Sequence, residues 1–305
     1  MKIATIDIGT NTVLLLIAEI EEGSIKTLAY EQRTPRIGKN VDAEGVIGKP
    51  AFARVIDVFS EYYKIIKKHH VDKVTAFGTS VLREAANKNE FVNFIKKENG
   101  IDIEILDGQD ESFWTYRGAI SGITSDEKMV VIDIGGGSTE ISEGTLKAVT
   151  STNSFNVGAV RISERYFRNN PPAPAEIQLA TDFVKNALSK LTDCNYSDAT
   201  LIGVAGTPTT LASIDLGILQ FDVEKISGYK LSFERINSIF QKLCKMRSDE
   251  IRELSDATEG RADIITAGTL ILTEFMKFGN FTGLTVSERG VRYGIAIREW
   301  EKLNQ

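Results

Sequence analysis

Cysteine and histidine are almost missing from this sequence, with two of each among 305 residues. Cys194 and Cys244 stand far apart and fit neither a CxxC nor a metal-ligand spacing, so reduced core thiols are expected. His69 and His70 are adjacent at the end of a helical pattern, where basic side chains favour the C-terminal dipole. Histidine-based catalysis and a histidine metal cluster are therefore not expected. No apolar run approaches the roughly 18 residues of a membrane span. Met1-Lys2-Ile3-Ala4-Thr5 enters an apparent strand without a signal peptide's basic-then-apolar layout. A cytoplasmic protein with no membrane partner follows as the expectation. Excess basic charge is absent as well: the formal net charge is −6, and no basic run interrupts the mixed signs. DNA and RNA are accordingly unexpected partners. A polyanion would have to be bound by a local site rather than by the global field.

The chain does have ordinary globular composition, 42% apolar and 26% charged. Its length exceeds a typical single core, so two domains are expected. The central stretch is Val130-Val131-Ile132-Asp133-Ile134-Gly135-Gly136-Gly137-Ser138-Thr139-Glu140. A buried strand ends there on an aspartate and three glycines, which free the backbone for a tight turn. With Gly136-Gly137 as a two-residue hairpin turn, Gly135 faces Ser138, Ile134 faces Thr139 and Asp133 faces Glu140. Opposed residues share a face, their Cβ atoms about 4.5–5.5 Å apart. Two converging carboxylates suit a hydrated divalent metal, and the glycine loop suits phosphate oxygens. A plain hairpin with two exposed acids is the competing reading.

Ile6-Asp7-Ile8-Gly9-Thr10-Asn11-Thr12 echoes this segment, its aspartate 126 positions earlier. Such an echo at domain spacing points to two similar halves facing one another across a cleft. Folding the first hairpin about Thr10-Asn11 places Leu14, not an acid, opposite Asp7. Two strand–turn–helix junctions follow: Gly78-Thr79-Ser80 leading to Arg83, and Gly206-Thr207-Pro208. Both resemble anion sites at helix N-termini. Asp110 and Glu111 open another helix, where acids are ordinary dipole partners. Pro50 to about Lys68 carries an apolar stripe at three-and-four spacing, and Arg33 to Gly48 reads as a loop.

Nine segments occur in order: IDIGTNT, RTPRIGKNVDAEG, GTSVLREAAN, GQDES, VIDIGGGSTE, NVGAVRISERYF, GVAGTPTTLA, GRADIITAG and TVSERGVRYG. Through them the chain resembles the exopolyphosphatase/guanosine pentaphosphate phosphatase family, in its short two-domain form. The resemblance implies an α/β fold of the actin-like ATPase superfamily, with two ribonuclease-H-like domains across a central cleft. Residues 1–122 and 123–305 would form them, with a closing helix at 289–302 able to pack back on the first. It further implies Glu111 as general base, although the family's EEA motif reads Asp110-Glu111-Ser112 here. Arg83 matches the family's phosphate-binding arginine. Asp133 and Glu140 match the magnesium-associated acids, with Asp7 added as a third metal candidate. Gly9, Thr10, Asn11, Gly135, Gly136, Gly137, Ser138, Gly206 and Thr207 form the expected phosphate-binding set. Pro208 has no N–H to contribute. The implied activity is Mg²⁺-dependent hydrolysis of the terminal phosphoanhydride of inorganic polyphosphate. Guanosine pentaphosphate is the alternative substrate, and a kinase or a non-catalytic phosphate sensor are the rival classes. A homodimer is expected from the family.

Overall fold

In the computed structural model, residues 1–21, 23–191 and 196–304 are described; Glu22 and Cys194 lie outside them. The chain divides into two units, Met1–Ile123 with Arg289–Gln305, and Thr124–Glu288.

The first unit is organised by strand β1, Lys2–Ile8, which is buried along nearly its whole length. Its period-2 alternation serves two cores. Ala4, Ile6 and Ile8 pack with Phe52, Val55, Phe59 and Tyr62 of the helix Lys49–His69. On the other face Ile3 joins Leu16 and Ala18 beneath Tyr293 and Ala296. Thr5 Oγ1 donates to the Arg292 carbonyl there, at 3.3 Å. Asp7 is the next residue on that second face. Strands β2 (Val13–Glu21) and β3 (Ser24–Arg33) complete an antiparallel meander. Strands β4 (Lys73–Gly78) and β5 (Ile103–Ile105) add in parallel on the other side, giving the order β3-β2-β1-β4-β5.

The second unit repeats the plan. Strands β6 (Met129–Ile134), β7 (Thr139–Gly144) and β8 (Val149–Phe155) form the meander. Strand β9 (Thr200–Val204) pairs in parallel with β6. Strand β10 (Lys230–Ser232) then pairs antiparallel with β11 (Gly283–Val286), which is parallel to β9. The order β10-β11-β9-β6-β7-β8 is the first sheet's order with one strand added at the edge. Both units are ribonuclease-H-like α/β domains. Val130, Ile132 and Ile134 enter a core built with the helices Pro174–Leu188, Phe233–Leu243 and Ile265–Phe278. Asp133 is thereby left on the opposite face.

Several short elements, among them the helices Val223–Ile226 and Ser248–Arg252, lie outside the sequence expectation. β10 is three residues long, too short to leave a periodic signature. One helical turn, Val41–Glu44, lies within the stretch read as loop. Among the described residues no helix is long and apolar enough to cross a membrane.

The last helix, Val291–Leu303, belongs to the first unit and docks on the helix Gly108–Ala119 at glycine contacts. A Cβ at Gly294 would lie 1.8 Å from the Trp114 carbonyl oxygen, and one at Gly118 would lie 2.1 Å from that of Gly290. Backbone that close cannot yield as a side chain can. Gly294→Ala is therefore expected to lower stability by about 1–3 kcal/mol, the usual cost of overpacking. Urea denaturation measures it, and an unchanged midpoint would refute the close approach.

Candidate active-site residues

Each unit gathers its candidate residues where its parallel strands end at their carboxyl side, the usual ligand edge of α/β sheets. In the first unit Asp7 pairs with Leu14 and with Phe77, and Gly9 N donates to Thr12 O at 2.9 Å. The hairpin thus has the register counted from its sequence. Its turn is held from behind: Gly38 N donates to Thr10 O at 2.7 Å and Arg36 N to Asn11 O at 3.0 Å. Asp7 and Thr10 are buried, while Gly9 and Asn11 are half-buried.

The same unit holds an ion pair between a half-buried guanidinium and a buried carboxylate. Asp107 caps the helix Gly108–Ala119, its carboxylate accepting from Gln109 N and Asp110 N at 2.8 Å each. This cap fixes the first turn, leaving Asp110 exposed and turning Glu111 inward to 7% exposure. Arg83 Nη1 donates to Glu111 Oε2 at 2.7 Å and to the Leu106 carbonyl at 3.1 Å. Burial pushes the Glu111 carboxyl above the usual carboxylate range, and the Arg83 guanidinium works against that rise. The helix bearing Arg83, Ser80–Glu84, has only five residues. Its charge, not an extended helix dipole, is what this junction offers an anion.

In the second unit Asp133 pairs with Glu140 and Ile134 with Thr139, and Gly135 N donates to Ser138 O at 3.0 Å. Here too the register is the one counted outward from Gly136-Gly137. Glu140 is 2% exposed, which sets aside a hairpin with two exposed acids. Ser154 of β8, its partner across the next pairing, donates its Oγ to Glu140 Oε1 at 2.7 Å. Like charges so placed are costly without a cation. The pair suits Mg²⁺, which takes one or two carboxylates and keeps several waters. Among the described residues no group of three or more Asp, Glu, His or Cys side chains could hold a metal ion. The donor set in this unit is a pair.

β9 runs beside β6, with Val204 paired to Asp133, and carries the next junction to the same edge. Ala205 there adopts φ 67° and ψ −163°, a conformation that strains any residue with a Cβ. The Arg261 guanidinium lies against Gly206, where a Cβ would come within 1.5 Å of its Nη1. Thr207 is buried with its hydroxyl against Gly268, which leaves its backbone as the group that could serve a ligand. Sequence reasoning gave Ser154 and Arg261 no role. Ser154 sits outside every motif, and Arg261 lies within one but reaches Gly206 only through the fold.

The Ppx/GppA phosphatase family model matches residues 16–303. Exopolyphosphatase 2 of Mycobacterium tuberculosis is 30% identical over 97% of this chain and 98% of its own length. A bifunctional 3-dehydroquinate synthase/phosphatase of Fusobacterium nucleatum is 34% identical over 93% of this chain, which spans 44% of that longer protein. Among solved structures, an exopolyphosphatase from Cytophaga hutchinsonii superposes with a TM-score of 0.91 at 28% identity. That match covers 99% of this chain and 98% of the other. The chain belongs to the Ppx/GppA phosphatase family.

Proposed function

We propose that this protein is an exopolyphosphatase, releasing orthophosphate from the end of inorganic polyphosphate with Glu111 as general base. The observation that carries the reading is the pairing of the buried Glu111 carboxylate with the half-buried Arg83 guanidinium. A carboxylate of raised proton affinity is what proton abstraction from water near neutral pH requires. A guanidinium beside that carboxylate is the group type that binds non-bridging phosphate oxygens. The name of the mycobacterial relative supports the choice of polymer.

Phosphoryl transfer needs chiefly positioning and charge neutralisation. In this reading Glu111 orients a water for in-line attack on the terminal phosphorus and accepts its proton. The new P–O bond forms as the bridging P–O bond breaks, and the electron pair leaves on the shortened polyphosphate. Amides near Gly9 and Gly136 hold the non-bridging oxygens. Asp133 and Glu140 would hold Mg²⁺, which when bound supplies charge neutralisation at the phosphoryl oxygens.

Phosphate release should be measured with polyphosphate and guanosine pentaphosphate in parallel, since both end in a linear phosphoanhydride. Release from polyphosphate is expected, reduced about 10²–10⁴-fold in Glu111→Gln. Release from the nucleotide alone would correct the substrate; release from neither, or only with an added acceptor, would overturn hydrolysis. Ser154→Ala should raise the Mg²⁺ concentration giving half-maximal rate by about 10–100-fold, as loss of an outer partner of a metal ligand does. An unchanged Mg²⁺ requirement would argue against Glu140 as a ligand.

A further inference from the structure

We propose that Arg161 is a positioning residue for phosphate: it turns the Gly135–Gly137 loop so that three consecutive amides face the ligand. This deepens the phosphate-loop assignment above and rests on it.

All three loop carbonyls are engaged from one side, by the start of the helix Ala159–Tyr166. Ala159 N donates to Gly135 O at 2.9 Å; Val160 N and Arg161 N donate to Gly136 O at 2.9 and 3.2 Å. The third carbonyl, Gly137 O, accepts from Arg161 Nε at 2.8 Å. Arg161 is 8% exposed, so this contact is made by a buried guanidinium.

A trans peptide sets each carbonyl antiparallel to the N–H of the following residue. Among the described residues the cis bond is Asn170–Pro171, so the loop's peptides are trans. Carbonyls 135, 136 and 137 point at the helix; the N–H groups of Gly136, Gly137 and Ser138 therefore point away from it. Those three amides have no hydrogen-bond partner among the described residues. Successive amides directed to one side make an anion-binding concavity. The usual turn bond from Ser138 N to Gly135 O is not formed; the Gly135 carbonyl is directed to Ala159 N instead.

The helix N-terminus is here occupied by protein carbonyls rather than by a ligand, and it acts at one remove. Its last reachable carbonyl is beyond the backbone donors, and the Arg161 side chain covers it. Arginine suits the task because its Nε–H lies in a rigid plane, whereas a lysine ammonium is a rotatable point charge. Gly158 completes the arrangement: a Cβ there would lie 2.3 Å from Gly136 O and would push the loop off the helix. In the first unit Thr10 O and Asn11 O likewise accept backbone donors, from Gly38 N and Arg36 N.

The test uses the full chain carrying Glu111→Gln, so that substrate is not consumed, with glycine and serine labelled with ¹⁵N. Inorganic tripolyphosphate is the probe. In this parent the amide protons of Gly136, Gly137 and Ser138 should move downfield on titration. Adding Arg161→Gln should abolish that movement and weaken the Kd about 10–100-fold, the range for losing a hydrogen bond to a charged group. With Glu111 restored, KM should rise by a similar factor and kcat little, because ground state and transition state lose the contact alike. Gly158→Ala displaces the same loop without touching Arg161 and should act likewise if Arg161→Gln fails to fold. Unchanged shifts and Kd in a folded variant would overturn the role of Arg161. If the parent binds tripolyphosphate without moving these amides, the phosphate-loop assignment falls, and the role of Arg161 with it.

Discussion

The proposed chemistry depends on one contact, between the Arg83 guanidinium and the buried Glu111 carboxylate. The Glu111 carboxylate would not be stable in place alone: without its cation it would take up a proton instead. Together they hold a buried acid beside a cation of the kind that binds phosphate. Fold and chemistry are coupled through the same burial that raises the proton affinity of Glu111. The linkage has a definite sign. A carboxyl whose folded value lies above its unfolded one, about 4.3 for Glu, favours the folded state at low pH. That contribution is lost as pH rises from the unfolded value through the folded value. Glu111 is thus held ready at a cost to stability near neutrality, as groups at functional sites often are.

The scaffold reaches this arrangement by using one supersecondary plan twice. In each unit a strand ends on Asp-x-Gly, turns tightly, and returns antiparallel while a parallel neighbour brings a second loop to the same edge. The two copies differ in chemistry. Leu14 faces Asp7 in the first, whereas Glu140 faces Asp133 in the second. The proposed base and its cation lie in the first unit, and the candidate metal acids in the second.

Much of this was legible because hairpin geometry is local. Counting from Gly136-Gly137 fixes which residues oppose one another, and a period of two then fixes the shared face. The same count gave the register at Asp7. The partnership of Arg83 with Glu111 was not legible, since it joins side chains from separate elements through burial, which no spacing rule encodes. Glu111 also looked like any acid in a first helical turn; the Asp107 cap, which leaves Asp110 outside and turns Glu111 inward, is what separates them. Ser154 reaches Glu140 only because β8 adds to β7, and Arg161 acts on carbonyls that a sequence motif does not display.

Titration of the Glu111 side-chain carboxyl by ¹³C NMR, assigned through the resonance missing in Glu111→Gln, reads this poise directly. Its midpoint should lie above the ordinary glutamate value of about 4.3. It should rise further in Arg83→Gln, because the guanidinium is the influence that lowers it. A midpoint at or below that value, or one indifferent to Arg83→Gln, would contradict a base poised by burial against its arginine.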